Sequence, residues 1–323
     1  AVGAPLAVGG TAVEPSVLFG VTETVAAGDG SAGWLTMIYA TSSVTGHFLD
    51  QRCLDEVFAD GARSLVCGVL APKGRATRVD GGYHLNGRWP FASGSVDANW
   101  ISLGALIDDG TLRSFYLPRE DIVILDTWDV MGLRATASHD VEVVDRFVPD
   151  HRVFDLTTNP RTGEPVARFP IYGLLAGGIA AVSLGIARAA IDEAIELGGA
   201  KVPTGSKRRL VDRPAMQETI ARAETMVAAA RVYLLSLAAP RDTATVLERA
   251  RLRMAATHAV NQSAEAVDLM YTVAGGSSLY SRSPLQRQFR DIHTATQHMM
   301  VAQPTWELAG KVFLGLEADT SGL

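Results

Sequence analysis

Cysteine is nearly absent from this 323-residue chain: Cys53 and Cys67 are the whole complement. Two thiols are too few for a disulfide framework or a thiolate metal cluster, and a reducing, cytoplasmic setting is expected. Positive charge is short as well. Lys and Arg number 29 against 35 Asp and Glu, a net charge of −6, which gives a phosphate backbone no electrostatic footing, so no nucleic-acid partner is expected. A signal-peptide pattern is missing from the start, which is Ala rather than Met and rich in Gly, Ala, Pro and Val; a processed or trimmed start is expected. Long apolar runs are missing with one exception. Residues 169–187 carry no charge and approach the length of a membrane span. Small residues throughout it, Pro170 at its head, and Arg168 and Arg188 at its ends predict a buried bundle helix and no membrane partner.

What is present is ordinary globular material, 47% hydrophobic and 20% charged, and too long for one small core. Three textures follow one another. Residues 1–63 read as helical, with helices over Glu14 to Ala27, from a Ser31 cap toward Leu49, and around Asp55 to Ala59. Residues 64–155 change to short β-type runs at Leu65 to Val69, Tyr83 to Trp89, Trp100 to Leu106, Ser114 to Leu117 and Val141 to Val148. Gly81-Gly82, Asn86-Gly87 and Asp108-Asp109-Gly110 punctuate them, which predicts an antiparallel barrel or sandwich. Residues 156–323 return to helical periodicity in four long pieces, Pro170 to Leu197, Pro214 to Ala238, Thr243 to Val273, and Pro284 to Gly315 with a break at Pro304. A four-helix bundle is expected there.

Gly28-Asp29-Gly30-Ser31-Ala32-Gly33 satisfies a dinucleotide fingerprint literally. That fingerprint works only between a strand and a helix. The residues before it look helical, so a helix–turn–helix connection is the better reading. The informative stretch lies near the end. Arg290-Asp291-Ile292-His293-Thr294-Ala295-Thr296-Gln297-His298 packs two imidazoles behind an Arg-Asp pair, groups that can move protons near neutral pH. Five-residue spacing does not put both rings on one tight helix face, and no acid matches them, so no metal is expected.

Three motifs then point one way. They are Gly87-Arg88-Trp89-Pro90-Phe91-Ala92-Ser93-Gly94 with Asp97-Ala98-Asn99-Trp100, then Trp128-Asp129-Val130-Met131-Gly132-Leu133-Arg134-Ala135-Thr136-Ala137-Ser138-His139-Asp140-Val141, and Ala274-Gly275-Gly276-Ser277 before the Arg-Asp segment. Together they resemble the acyl-CoA dehydrogenase superfamily, and within it the flavin-dependent monooxygenase branch, the oxygenase components of two-component hydroxylases. The resemblance implies an α+β chain with N-terminal helices, a central β domain, a C-terminal four-helix bundle and a homotetramer. Helices that the family carries before the segment at Glu14 are not in this sequence. It implies reduced flavin, FADH2 or FMNH2, from a separate flavin reductase, molecular oxygen as co-substrate, and a small aromatic or amine substrate. Trp89, Phe91 and Ser93 match the β-domain edge that meets the flavin ring, offering backbone N–H, a hydroxyl and aromatic faces. Arg134, Thr136, Ser138 and His139 match the supporting stretch. Gly275 and Gly276 match a glycine pair that approaches a partner's flavin, and Arg208 of Lys207-Arg208-Arg209 is a candidate for its phosphate.

Acyl-CoA dehydrogenases need a carboxylate base, commonly just after the Arg-Asp pair. Residues 292–300 hold none. The oxygenase branch places a histidine there, and His298 matches best, with His293 second. The implied reaction runs through a C4a-hydroperoxyflavin in a site that excludes water, with Ser93 near the C4a/N5 edge and a histidine tuned near neutral to move a proton. Two rival readings stand beside it: an acyl-CoA dehydrogenase with a relocated base, and a non-catalytic paralogue of the fold.

Overall fold

The computed structural model describes residues 2–239 and 244–323. The first helices are α1 (Pro15–Gly28), α2 (Gly30–Ser43) and α3 (Gln51–Val57). Seven strands follow: β1 (Val66–Val79), β2 (Gly82–Trp89), β3 (Trp100–Ile107), β4 (Leu112–Pro118), β5 (Val123–Leu125), β6 (Asp140–Pro149) and β7 (Val153–Phe154). The chain then runs through α4 (Ile171–Ala200), α5 (Pro214–Ser236), α6 (Val246–Ala274), α7 (Pro284–Ala295) and α8 (Pro304–Phe313). Proline stands in the first turn of α1, α5, α7 and α8, where its missing N–H leaves no bond unmade.

The fingerprint-like glycines lie between two helices, as expected. The cap of α2 is Asp29, not Ser31: its carboxylate accepts from Ala32 N at 3.0 Å. Asp50 does the same for α3, accepting from Cys53 N at 2.8 Å, so that helix begins at Gln51 and ends earlier than expected. α6 starts behind a capping box between Thr245 and Glu248; its expected start at Thr243 lies outside the described residues.

The strands form one mixed sheet in the order β5-β6-β2-β1-β3-β4-β7, not an antiparallel barrel or sandwich. β1 is a single long strand with a register shift between Val69 and Gly74. It pairs antiparallel with β2 on one side and parallel with β3 on the other. The parallel pair arises because residues 90–99 carry the chain from the end of β2 across to the far side of β1. The short β5 and β7, which have too few residues to show a period, went unnoticed in the sequence. Trp89 sits wholly inside this sheet. Its indole N–H donates to Gly104 O at 2.7 Å, and a Cβ at Gly74 or Gly87 would stand 2.3 or 2.6 Å from its ring.

α4 is long and apolar enough to cross a bilayer, but 83% of its apolar window is buried inside the protein. Its small residues let neighbours reach its backbone. A Cβ at Gly177 would meet Phe19 of α1, and one at Gly178 would meet Met37 of α2. The α1–α2 pair, α4 and the sheet thus share one continuous core. The last long helix expected does not run to Pro304. It stops at Ala295, because residues 296–301 turn back under two bonds: Met300 N donates to His298 Nδ1 at 3.2 Å, and buried Arg253 donates to Met300 O at 3.1 Å.

Sheet and bundle are stapled together at Met131-Gly132-Leu133. Arg290 of α7 donates to Met131 O at 2.8 Å, and Leu133 N donates to the buried Asp291 carboxylate at 2.6 Å. Between them Gly132 lies flush on the helix, where a Cβ would come within 2.1 Å of Arg290 O. Leu133 is held at φ +51°, a left-handed conformation costing a non-glycine residue about 1 kcal/mol or more. Burial pushes the Asp291 carboxyl above its usual range, although the Leu133 N–H, Arg287 and Arg290 pull it back. A hydrogen bond to a charged, buried acceptor contributes about 2 kcal/mol. Asp291→Ala is therefore expected to lower unfolding free energy by about that amount. Asp291→Asn, which keeps an acceptor, should lose less than half of it, as read by urea denaturation; equal losses would contradict the assignment.

Candidate functional site

The staple positions two loops against α2 and the end of α7. One is the turn 90–95 after β2; the other is the stretch 128–139 before β6. Their side chains meet in a buried run of polar groups. Trp34 of α2 donates its indole N–H to Ser93 Oγ at 3.1 Å. Ser93 Oγ lies 2.6 Å from Ser138 Oγ, which lies 2.7 Å from Thr136 Oγ1. Thr136 donates to Leu133 O at 2.8 Å, so the run ends on the residue that Asp291 holds. Tyr39 of α2 clamps the same turn from the side, donating to Gly94 O at 3.0 Å, and burial pushes its phenol well above the usual range. Phe91 at φ +64° and Ala137 at φ +42° join Leu133 in left-handed backbone. Strained non-glycine residues gather in this way where the surroundings over-determine a site.

His298 also packs against Trp34, its ring centroid 5.7 Å from the indole. It is densely surrounded yet keeps some accessible surface. Burial, with Arg253 adding to it, lowers its pKa to about 4. Nδ1 accepts from Met300 N, so the ring proton sits on Nε2. The expectation of a histidine tuned near neutral is corrected: this imidazole is uncharged at pH 7 and presents an N–H rather than a base. His293 does not join it. Its Nε2 pairs with Asp268 of α6 at 2.8 Å, and its ring packs on Phe289 at 4.5 Å.

The other expected residues divide into two groups. Ser93, Thr136 and Ser138 form the buried run. Phe91 is 70% exposed at its edge, edge-to-face with Trp128 at 6.3 Å, and Arg134 is exposed on the same turn as Thr136. Trp89 is no part of this group, since a fully buried indole in the sheet core has no face to offer. Backbone donors are also withdrawn: the N–H groups of residues 92–95 all bond to carbonyls of His139, Phe91, Thr136 and Ala92. His139 is structural. Its Nδ1 accepts from both Thr127 N and Trp128 N at 3.1 Å, which leaves no proton there for Asp126 at 3.4 Å. Gly275, Gly276 and Arg208 form the second group, at the ends of α6 and α4. Lys201 donates to Ala274 O at 2.7 Å and ties the connection carrying exposed Arg208 to the glycine pair. Gly275 needs its φ of +59°. Among the described residues nothing crowds Gly276, where a Cβ would meet open space.

Trp34 and Asp291 belong to the candidate site by their contacts, and the sequence did not mark them as members of it. A tryptophan on an apolar helix carries no mark of its partner. The Arg-Asp pair was visible, but its spacing to Gly132 exists only in three dimensions.

A flavin fits the first group. Phe91 (70% exposed), Val96 (47%), Met131 (51%) and Met299 (73%) are large apolar side chains left in the open, each within three residues in chain of Ser93, Leu133 or His298. An apolar rim on the segments that carry the buried hydroxyls and His298 suits an apolar ring with polar edge atoms.

Comparison with known proteins agrees. Residues 177–303 match the family model described as acyl-CoA dehydrogenase, C-terminal domain. Indole-3-acetate monooxygenase of Pseudomonas putida is 31% identical over 96% of this chain and 82% of its own length. The oxygenase subunit HsaA, a flavin-dependent monooxygenase of Mycobacterium tuberculosis, is 31% identical over 90% and 79%. The chain belongs to the flavin-dependent monooxygenase branch of the acyl-CoA dehydrogenase superfamily. Its fold matches the crystal structure of 3-HSA hydroxylase from Rhodococcus sp. RHA1 with a TM-score of 0.90 at 29% identity, over 98% of this chain and 87% of that one. It matches XiaF from Streptomyces sp., in complex with FADH2 and glycerol, with a TM-score of 0.86 at 29% identity, over 98% and 85%.

The lowered His298 pKa has a consequence for this monooxygenase-family chain. Between pH 6.5 and about 4 the unfolded chain binds a proton at this residue that the folded chain refuses. The stability it contributes is therefore complete above pH 6.5 and declines as pH falls through that window. His298→Asn keeps an acceptor for Met300 N–H and does not titrate. The variant should show a flatter loss of denaturation midpoint over that window than the parent; parallel curves would show His298 to be unperturbed. His47, also pushed down by burial, acts with the same sign in both proteins.

Proposed function

We propose that this chain is the oxygenase component of a two-component monooxygenase that hydroxylates a small aromatic substrate, using reduced flavin from a separate reductase. The observation that carries the reading is the chemistry beside Trp34: a buried hydroxyl run bonded to its indole N–H, an uncharged imidazole packed against its ring, and no carboxylate in residues 292–300. The three acids on the preceding helix are engaged or turned outward: Glu248 in the capping box at its start, Asp268 bonded to His293, and Glu265 exposed. An acyl-CoA dehydrogenase, which needs a carboxylate to take a proton from carbon, is disfavoured for that reason. Relatives point the same way: one is named for indole-3-acetate, and another is an FADH2-dependent resorcinol hydroxylase.

The flavin, FADH2 or FMNH2, supplies reducing equivalents that activate dioxygen for transfer of one oxygen atom. The protein does the rest. Ser93 meets the polar edge of the ring, and Ser138 and Thr136 hold Ser93. Phe91 and the apolar rim cover the ring and exclude water. His298 offers its Nε2–H to the substrate oxygen or the oxygen being transferred, and, being neutral, leaves the site uncharged. Arg134 lies beside the hydroxyl run, and Gly275, Gly276 and Arg208 serve the distal phosphates of a flavin bound by a neighbouring subunit in a homotetramer. The same reading divides the chain into 1–63, an N-terminal helical domain, 64–155, the β domain, and 156–323, the bundle, and assigns the protein to the cytoplasm.

The test is turnover with chemically reduced flavin, labelled dioxygen and a panel of phenols and indoles. One labelled oxygen atom in the aromatic product is expected. Anaerobic bleaching of bound oxidised flavin by an acyl thioester, without oxygen incorporation, would overturn the proposal.

A further inference from the structure

Between α3 and the sheet lies a surface cavity of about 380 Å³, at the place where β3 begins and β4 ends. It shares no residue with the hydroxyl run, the apolar rim or the glycine pair. Its volume falls in the range of small-molecule sites, about 300–1,000 Å³. The walls are fixed from outside. Glu56 of α3 spends its carboxylate on His151 at 3.0 Å and Arg152 at 2.7 Å, with Arg52 at 3.4 Å. Arg152 in turn lies over the Trp100 ring, 4.8 Å from its centroid. Asn99 Oδ1 accepts from Leu65 N at 2.7 Å and holds the segment carrying Ser64 against the start of β3.

Within these walls, polar groups are left without partners. Ser64 is 3% exposed and lines the cavity, and its hydroxyl bonds to no described residue. Arg119, half-buried, spends Nη1 on Ile122 O at 3.1 Å; its Nε is buried without a partner, and no described carboxylate pairs with it. A half-buried cation without a counter-ion, beside a buried hydroxyl without an acceptor, calls for a missing group. Both lack an oxygen acceptor, and a carboxylate supplies two. Asp60 and Glu120 line the same cavity from exposed positions, and neither is in an ion pair. They disfavour a phosphate or a dicarboxylate and leave a place for one cation. Trp100 and Pro118 add an aromatic and an apolar wall.

We infer that this cavity is a second binding site, which takes a small zwitterion of the α-amino-acid class with an aromatic or apolar side chain. The carboxylate of the ligand accepts from the Ser64 hydroxyl and the Arg119 guanidinium. Its ammonium faces Asp60 and Glu120, and its side chain packs on Trp100 and Pro118. The site stands independently of where the flavin binds.

The test is calorimetric titration of the full chain with L-phenylalanine, 3-phenylpropionate and 2-phenylethylamine, which share one ring and differ in charge. L-Phenylalanine is expected to bind once per chain. Each analogue carries a single charge, leaves one set of groups unpaired, and should bind at least about tenfold more weakly. Arg119→Gln should weaken L-phenylalanine about tenfold, and Ser64→Ala severalfold. Asp60→Asn combined with Glu120→Gln changes only exposed positions, so it decides the matter should Arg119→Gln fail to fold. That double variant should weaken L-phenylalanine severalfold and bind 3-phenylpropionate as well as the parent does, or better. Three outcomes overturn the inference: no binding of L-phenylalanine at millimolar concentration, equal affinity for all the compounds, or parent affinity for L-phenylalanine in both Arg119→Gln and the double variant. The last would place the bound ring elsewhere on the protein.

Discussion

One hydrogen bond, from Leu133 N–H to the buried carboxylate of Asp291, ties the two halves of this protein at the place where chemistry is proposed. It joins a loop of the sheet to a helix of the bundle and fixes Leu133 in a conformation that a leucine does not choose alone. The carbonyl of that same residue receives the Thr136 hydroxyl and the Trp128 indole N–H. A helix side chain thus holds a main-chain amide, and the carbonyl of the same residue stands at the end of the hydroxyl run that reaches Ser93. Geometry built in this way is set before any ligand arrives.

The site is notable for how little charge it holds. The imidazole nearest it is neutral, the hydroxyls bond to one another, and the ionised groups have been drawn off into structural work: Asp291 to the staple, Asp268 to His293, Arg253 to the turn after α7. Neutral, partly apolar surroundings suit oxygen transfer to an aromatic ring better than proton abstraction from a thioester. Arg253 has a double role in this. It holds the 296–301 turn by its bond to Met300 O, and its buried charge helps keep His298 unprotonated.

Helices and strands were legible in the sequence where period and punctuation agreed. Pro15, Pro214, Pro284 and Pro304 mark helix starts at their true places, and the Gly28–Gly33 segment was correctly set aside. Sheet topology was not legible, because the parallel neighbour of β1 depends on where residues 90–99 cross, and nothing in their composition records a crossing. For the site, Ser93, Thr136 and Ser138 were visible as motif members and do come together. Trp89 was misread because a strand-end aromatic looks the same in sequence whether it faces a ligand or the pocket made by Gly74 and Gly87. The His298 pKa was misjudged for a related reason: a histidine's sequence neighbours say little about the indole and the buried guanidinium that surround it.

Neutron diffraction from deuterated crystals of the ligand-free protein at about pH 7 tests most directly whether the site is built without charge around a fixed main-chain staple. A deuteron is expected on His298 Nε2 and none on Nδ1, with the Leu133 amide deuteron pointing at an Asp291 carboxylate that carries no deuteron of its own. Deuterons on both ring nitrogens of His298 would contradict the account.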